Sequence, residues 1–266
     1  MAMHVFYGAI ALGALIPAAA LRLRARDERD AAFWVGLALA IVGPGAWASA
    51  QLWGAWHTGF AVSLWLTIAV TTVLFAALAL ATRQGWRLTP ILVPYLIGLG
   101  VVALIWQRAP ERPVPGTVPV AWFETHIALA LATYGLLTLA AVAGVAVFLQ
   151  ERALKAKRPT ALTRRLPAVA ESERLQVWLL GASEIVLAFG LASGMAAEYF
   201  ERGRLLVLDH KTTLSIAAFI AIGLLLAAHR FTGVRGQQAA RGVLLAYLLL
   251  TLAYPGVKFV TDVLMS

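Results

Sequence analysis

The chain has 266 residues, 61% of them hydrophobic and only 13% charged, with a formal net charge of +9 and a mean hydropathy of +0.80. That hydropathy excludes an ordinary water-soluble domain of this length, and the absence of cysteine excludes disulfides, a Cys-x-x-Cys-His haem attachment and thiol relays. The positive charge does not point to nucleic acid, because it lies beside the ends of apolar stretches, where anionic lipid headgroups attract it.

A helix needs about 20 mostly apolar residues to cross a hydrocarbon core of about 30 Å. Eight such stretches follow one another, over residues 3–21, 33–53, 60–82, 89–106, 121–149, 175–199, 212–229 and 241–261. They predict an all-α polytopic membrane protein, a single integral membrane domain over 1–266 with four spans in 3–106 and four in 121–261. In the first span Arg22, Arg24, Arg26 and Arg29 follow the apolar core instead of preceding it, the reverse of a secretory signal, so the helix is expected to be retained with its N-terminus outside.

That orientation leaves 16 of the 22 basic residues in inner loops: those four arginines, Arg83 and Arg87, seven between Arg152 and Arg174, and Arg230, Arg235 and Arg241. The positive-inside rule therefore predicts both termini outside, in a multi-pass protein of the bacterial inner (cytoplasmic) membrane, with the lipid bilayer as its first partner.

Between spans two and three, His57 sits in a short outer turn with Trp53 and Trp56, which read as an interfacial belt. The outer loop 107–122 carries Pro110, Pro113, Pro115 and Pro119; it should be extended and stiff, and it separates the two halves. Pro44, Pro94 and Pro255 fall within spans and each frees a carbonyl that a neighbour must satisfy. Span five is roughly 43 Å long as a helix, so it must tilt or project. The connection 150–175 is basic and amphipathic and is expected to lie on the membrane surface.

Two histidines stand out. His126 opens span five and His210 opens span seven, and the loop charges put both at the same outer interface. Paired neutral imidazoles are a plausible axial set for haem iron, so haem b is the first cofactor to test, with His126 and His210 as metal ligands. Lys211 and Lys258, at the outer ends of spans seven and eight, could meet its propionates, or could snorkel with Lys258 paired to Asp262.

Tyr134 is two turns below His126 on the same helical face and could hydrogen-bond within the bundle or pack in its core. Asp209 precedes His210 in an Asp-His-Lys triplet, and Glu184 is the one carboxylate well inside a span. His4 is expected in an outer tail. His229, at the inner end of span seven, is roughly 28 Å along the helix from His210, so the two cannot serve one iron. No Walker loop, dinucleotide fingerprint, His-Glu-x-x-His pair or Gly-x-Ser-x-Gly elbow is present, and the chain is not read as an enzyme.

At these residues the C-terminal half resembles the cytochrome c assembly membrane proteins, the haem-handling CcsA/CcmC group, and within them the small eight-span HemX/YpjD-type branch. His126 with Tyr134 and Gln150-Glu151-Arg152 resembles the family helix that starts with an outer histidine. Leu208-Asp209-His210-Lys211-Thr212-Thr213-Leu214 stands at the Trp-Asp-Pro-Lys-Glu-Thr-Trp end of the family's tryptophan-rich haem-binding segment. Ala228-His229-Arg230 with Gly233-Val234-Arg235-Gly236 resembles the turn that follows, and Tyr254-Pro255-Gly256-Val257-Lys258 fits the last helix.

The likeness covers about residues 120–266. It departs where Leu208 and Leu214 replace tryptophans and where the chain has no histidine after the last helix. The resemblance implies haem handling at the outer face with His126 as one ligand, linked to cytochrome c biogenesis or haem supply, and partners among cytochrome-maturation or haem-synthesis proteins. His210 as the second ligand is read from its position alone. Two other readings stay open: a regulatory or scaffold membrane protein that binds no haem, and a small-solute transporter using Glu184 and the proline-broken spans.

Overall fold

The computed structural model describes residues 2–20, 29–52, 59–107, 120–204 and 207–264. It is helical throughout, with no strand among the described residues, and eight helices are long and apolar enough to cross a membrane. The first span is broken: α1 (Ala2–Gly13) ends in a turn before α2 (Ile16–Ala20). Pro17 has no amide to donate to the Gly13 carbonyl, which is reason enough for the break. His4 lies on α1, not in a tail, and its ring meets Trp47 edge-on at 5.7 Å.

Spans two to four are α3 (Ala31–Leu52), α4 (Phe60–Ala81) and α5 (Thr89–Ile105), the last entered through a 3-10 turn at Gly85–Leu88. Span five is α6 (Val120–Lys155), span six α8 (Val169–Arg202), span seven α9 (His210–Phe231). Span eight is α10 (Gly236–Thr251), continued by a π-helical turn at Leu252–Gly256 around Pro255, whose missing amide cannot serve the Thr251 carbonyl.

The connection expected over 150–175 is shorter than those bounds. Most of it is helix: α6 runs on to Lys155 and α8 starts at Val169, leaving a short connection that holds one turn, α7 (Ala161–Arg165). Thr160 and Thr163 cap that turn reciprocally. The side chain of Gln150 pins the connection by donating to the carbonyls of Thr163 at 2.8 Å, Pro167 at 3.0 Å and Leu166 at 3.3 Å. With 36 residues, α6 is about 54 Å long, well beyond a hydrocarbon core of about 30 Å. The proline-rich loop and the turn holding His57 lie outside the described residues.

The most enclosed helix is α6, packed along α8 and also against α4 and α10. Its inner stretch is built of small residues, and a Cβ on Gly144 would meet Gln176 Oε1 at 3.3 Å and Ala240 Cα at 3.6 Å. Lipid tails are as apolar as leucine, so close backbone approach of this kind, and not apolarity, is what joins helices in a bilayer. One continuous apolar cluster, from Ala11 to Leu250, draws on both halves of the chain. By contrast, α9 is mostly half-buried, with only Ala218 and Ile222 of its residues fully buried, and it packs on α8 and α10.

Candidate functional site

At the end of the bundle away from the basic loops, the first turns of α6 carry Trp122, His126, Ala130, Thr133 and Tyr134 on one face. That face meets a run of small residues on α8, Gly190, Ser193 and Gly194. His126 Nδ1 is 2.8 Å from Ser193 Oγ, and Ser193 Oγ donates to the Gly190 carbonyl at 2.9 Å. With the single hydroxyl proton used there, Oγ accepts from His126. That arrangement places the ring proton on Nδ1 and the lone pair on Nε2.

Two further contacts hold the ring. Trp122 Nε1 donates to the Ser193 carbonyl at 3.0 Å, and a Cβ on Gly194 would lie 3.1 Å from His126 Cε1, so the imidazole rests against bare backbone.

His126 opens onto a cavity of about 150 Å³, shared with Thr133, Tyr134, Lys211, Ser215 and Tyr254 and closed by leucines. One imidazole, one ammonium and several hydroxyls on apolar walls make a place that can ligate a metal centre through nitrogen and balance an anionic substituent. Among the described residues no group of three or more histidines or carboxylates gathers as a metal site.

The structure brings His126, Tyr134 and Lys211 to one cavity. His210 is exposed as the first residue of α9, next to Lys211 but not in the cavity wall. Asp209 caps that helix, accepting from Thr212 N at 2.7 Å. Burial pushes the Asp209 carboxyl up, but hydrogen bonds from Thr212 and the charge and amide of Lys211 outweigh it and hold the group below the usual aspartate range.

Lys258 points elsewhere, donating to Ser63 Oγ on α4 at 2.7 Å; the Asp262 side chain expected beside it lies outside the described residues. Glu184 sits one turn from Leu187, itself part of the cavity wall. One Glu184 oxygen faces Gly223 of α9, and the other, Oε2, is buried with no hydrogen-bond partner among the described residues. His229 is at the opposite end, where Nδ1 pairs with the Val234 carbonyl at 3.0 Å and closes the α9–α10 turn.

Below the cavity, Tyr134 belongs to a cluster that sequence reading did not anticipate. Its hydroxyl is 3.0 Å from that of Tyr247, 3.3 Å from that of Tyr95 and 3.3 Å from Thr251 Oγ1, and Tyr95 and Tyr247 also bond each other. Ser193, Gly190 and Gly194 were missed as well; their signal is a run of small residues spaced three and four apart in an otherwise bulky apolar span.

The motif residues at the basic end have a structural task. Gly236, at φ +62°, donates its amide to Glu173 Oε1 at 2.6 Å and lies against Glu151, which pairs with Lys155 at 3.5 Å.

The family model described as "Cytochrome C assembly protein" matches residues 61–265. The chain belongs to the cytochrome c assembly protein family. That match starts at the head of α4, so the family relationship reaches into spans three and four and is not confined to 120–266 as the sequence reading had it.

Three relatives place it further within the cytochrome c assembly family. The "uncharacterized 28.8 kDa protein in nifR3-like 5'region" of Azospirillum brasilense is 56% identical over 271 residues, covering 100% of both chains. Protein HemX of Brevibacillus brevis is 26% identical over 201 residues, 73% of each chain. Inner membrane protein YpjD of Escherichia coli K12 is 25% identical over 211 residues, 78% of this chain and 74% of that one. HemX and YpjD are relatives expected of the HemX/YpjD-type branch. No solved structure matches.

Proposed function

We propose that this family member binds haem b at the cavity end of spans five to eight, on the outer side of a bacterial inner membrane, and passes or presents it in cytochrome c assembly or haem supply. The observation that carries the reading is His126: an imidazole whose Nδ1 is fixed by Ser193, on a ring that lines a cavity shared with Lys211. Fixing one ring nitrogen by a hydrogen bond is how proteins orient a ligating histidine.

The donor set fits the cofactor. Haem supplies an iron with axial positions for imidazole and two propionates. His126 would hold the iron through its imidazole, and His210, exposed on the first turn of α9 and outside the cavity wall, would offer the second; Lys211 would neutralise a propionate, and the Tyr134 hydroxyl would offer a polar contact at the cavity wall. Lys258 stays with Ser63. A cavity of about 150 Å³ is smaller than the roughly 300–1,000 Å³ of ordinary ligand pockets. The porphyrin is therefore shared with the exposed apolar side chains of Trp122, Phe200 and Leu208 at the same end.

The outer placement rests on the positive-inside bias of the loops, and the membrane on the eight spans and on the inner-membrane name of the YpjD relative. No side chain is assigned a catalytic task.

The test is the visible spectrum of the detergent-purified protein made with ample haem. A low-spin Soret band is expected, lost in His126→Ala and converted to high-spin in His210→Ala, with His4→Ala unchanged. A wild-type protein without a Soret band overturns the reading and leaves a regulatory role without haem as the better one.

A further inference from the structure

At the opposite, basic end a second cavity, of about 730 Å³, opens between the α4–α5 turn and the first turns of α8. Its size falls within the range of ordinary ligand pockets, roughly 300–1,000 Å³. Arg83 and Gln84 line it from the turn; Glu171, Arg174, Leu175 and Trp178 line it from one face of α8.

The arginines of this region divide into two kinds. Arg29 is consumed by the protein, donating to the carbonyls of Ala79 at 2.6 Å and Thr82 at 3.2 Å. Arg87 stacks on Trp86 and bonds Gln84. Arg83 and Arg174, in contrast, have no side-chain hydrogen bond or ion pair among the described residues, although Glu171 is only one turn from Arg174. Two guanidinium groups from distant parts of the chain thus face one cavity, unspent.

The side chains are also graded by depth. Along α8, Glu171 and Arg174 come first from the basic end, then buried Leu175, then Trp178, a residue 59% exposed. Charge at the helix end followed by an exposed indole one turn inward is the order of a headgroup zone passing into hydrocarbon.

We propose that this cleft binds one anionic phospholipid, whose phosphodiester is held between Arg83 and Arg174 and whose acyl chains lie along Trp178. Two arginines and one carboxylate leave a net charge of +1, which one phosphodiester monoanion neutralises, whereas inorganic phosphate near pH 7 carries more charge and meets Glu171 as a repulsion. Glu171 accepts from a headgroup hydroxyl, as in a glycerol headgroup. Planar guanidinium forks match phosphate oxygens in pairs, which suits arginine to this task. The site is independent of the haem reading. It agrees with the basic end facing the cytoplasmic leaflet, where anionic lipids lie.

The experiment uses the full-length protein equilibrated with mixed micelles of phosphatidylglycerol, phosphatidylethanolamine and phosphatidylcholine, followed by native mass spectrometry. One retained phosphatidylglycerol per chain is expected. A near-surface arginine is worth roughly fivefold in affinity for an anionic headgroup, so Arg83→Gln with Arg174→Gln should lower that retention by about 25-fold. Arg158→Gln with Arg164→Gln, the same loss of charge away from the cleft, should leave it intact. Glu171→Gln, which removes the repulsion, should let inorganic phosphate compete where it does not compete in the wild type. Equal retention of all three lipids, unchanged retention in the Arg83/Arg174 double variant, an equal loss in the control pair, or ready displacement by inorganic phosphate from the wild type overturns the proposal.

Discussion

Gly233 and Gly236 flank the same turn with nearly the same backbone, φ +69° and +62°, but in different surroundings. A Cβ on Gly233 would meet nothing within 4 Å, while one on Gly236 would fall onto Glu151 Oε1. Alanine in the left-handed region costs about 1–2 kcal/mol, partly offset by about 0.4–1 kcal/mol of lost freedom in the unfolded chain. Gly233→Ala should therefore destabilise by about 1 kcal/mol.

Gly236→Ala carries the same strain and adds a collision with Glu151. If Glu151 and Glu173 clamp this turn together, the shift that relieves it also costs the 2.6 Å bond from Gly236 N to Glu173, a charge-assisted bond worth about 1.5–3 kcal/mol. The expected sum is then about 2.5–4 kcal/mol. Reversible unfolding in mixed micelles, titrated with a denaturing detergent, measures both variants on one scale. A difference between them below about 0.5 kcal/mol would refute the view that the end of α6 and the start of α8 clamp the start of α10. Glu173→Gln, which keeps an acceptor without its charge, should fall between wild type and Gly236→Ala.

Ser193→Ala removes the acceptor of the His126 proton, so haem affinity should drop about tenfold, the low end for losing an outer-shell partner, as read by haem titration; an unchanged affinity would show that the hydrogen bond does not position the ring. Asp209 titrates lower in the folded chain than in the unfolded one. Its contribution is thus complete above the ordinary aspartate range and is lost as pH falls through the depressed folded value. The Tm of the wild type should decline across that acidic window and that of Asp209→Asn should not, with parallel curves counting against the cap. Reporter fusions after Arg158 and after Ser266 should report opposite sides of the membrane, and the same side would sink the eight-span topology.

The pattern of apolar stretches made all eight spans legible, because membrane helices must satisfy their backbone internally and so declare themselves by length. Face arithmetic within α6 also placed Tyr134 under His126, and both line one cavity. Helix ends were less legible. The stretch Gln150–Lys155 is polar enough to end a membrane span yet made of good helix formers, so α6 continues where hydropathy stops. Lys258 shows a different limit: its depth was readable, but which helix it faces depends on packing, and that packing gives it Ser63. The meeting of Tyr95, Tyr134 and Tyr247 from three separate spans left no trace in any local pattern.

Those three phenols form a closed triangle, each within reach of the other two. Three protons and three acceptors satisfy one another when every hydroxyl donates once around the ring, and the ring can run in either sense. Tyr134 is also the member that faces the cavity. An acceptor entering there and taking its proton opens the circuit at one bond, while Tyr247 and Tyr95 can keep theirs, and Thr251 offers Tyr134 a further partner. The cavity and α5, in the first half of the chain, are thus separated by a single shared phenol.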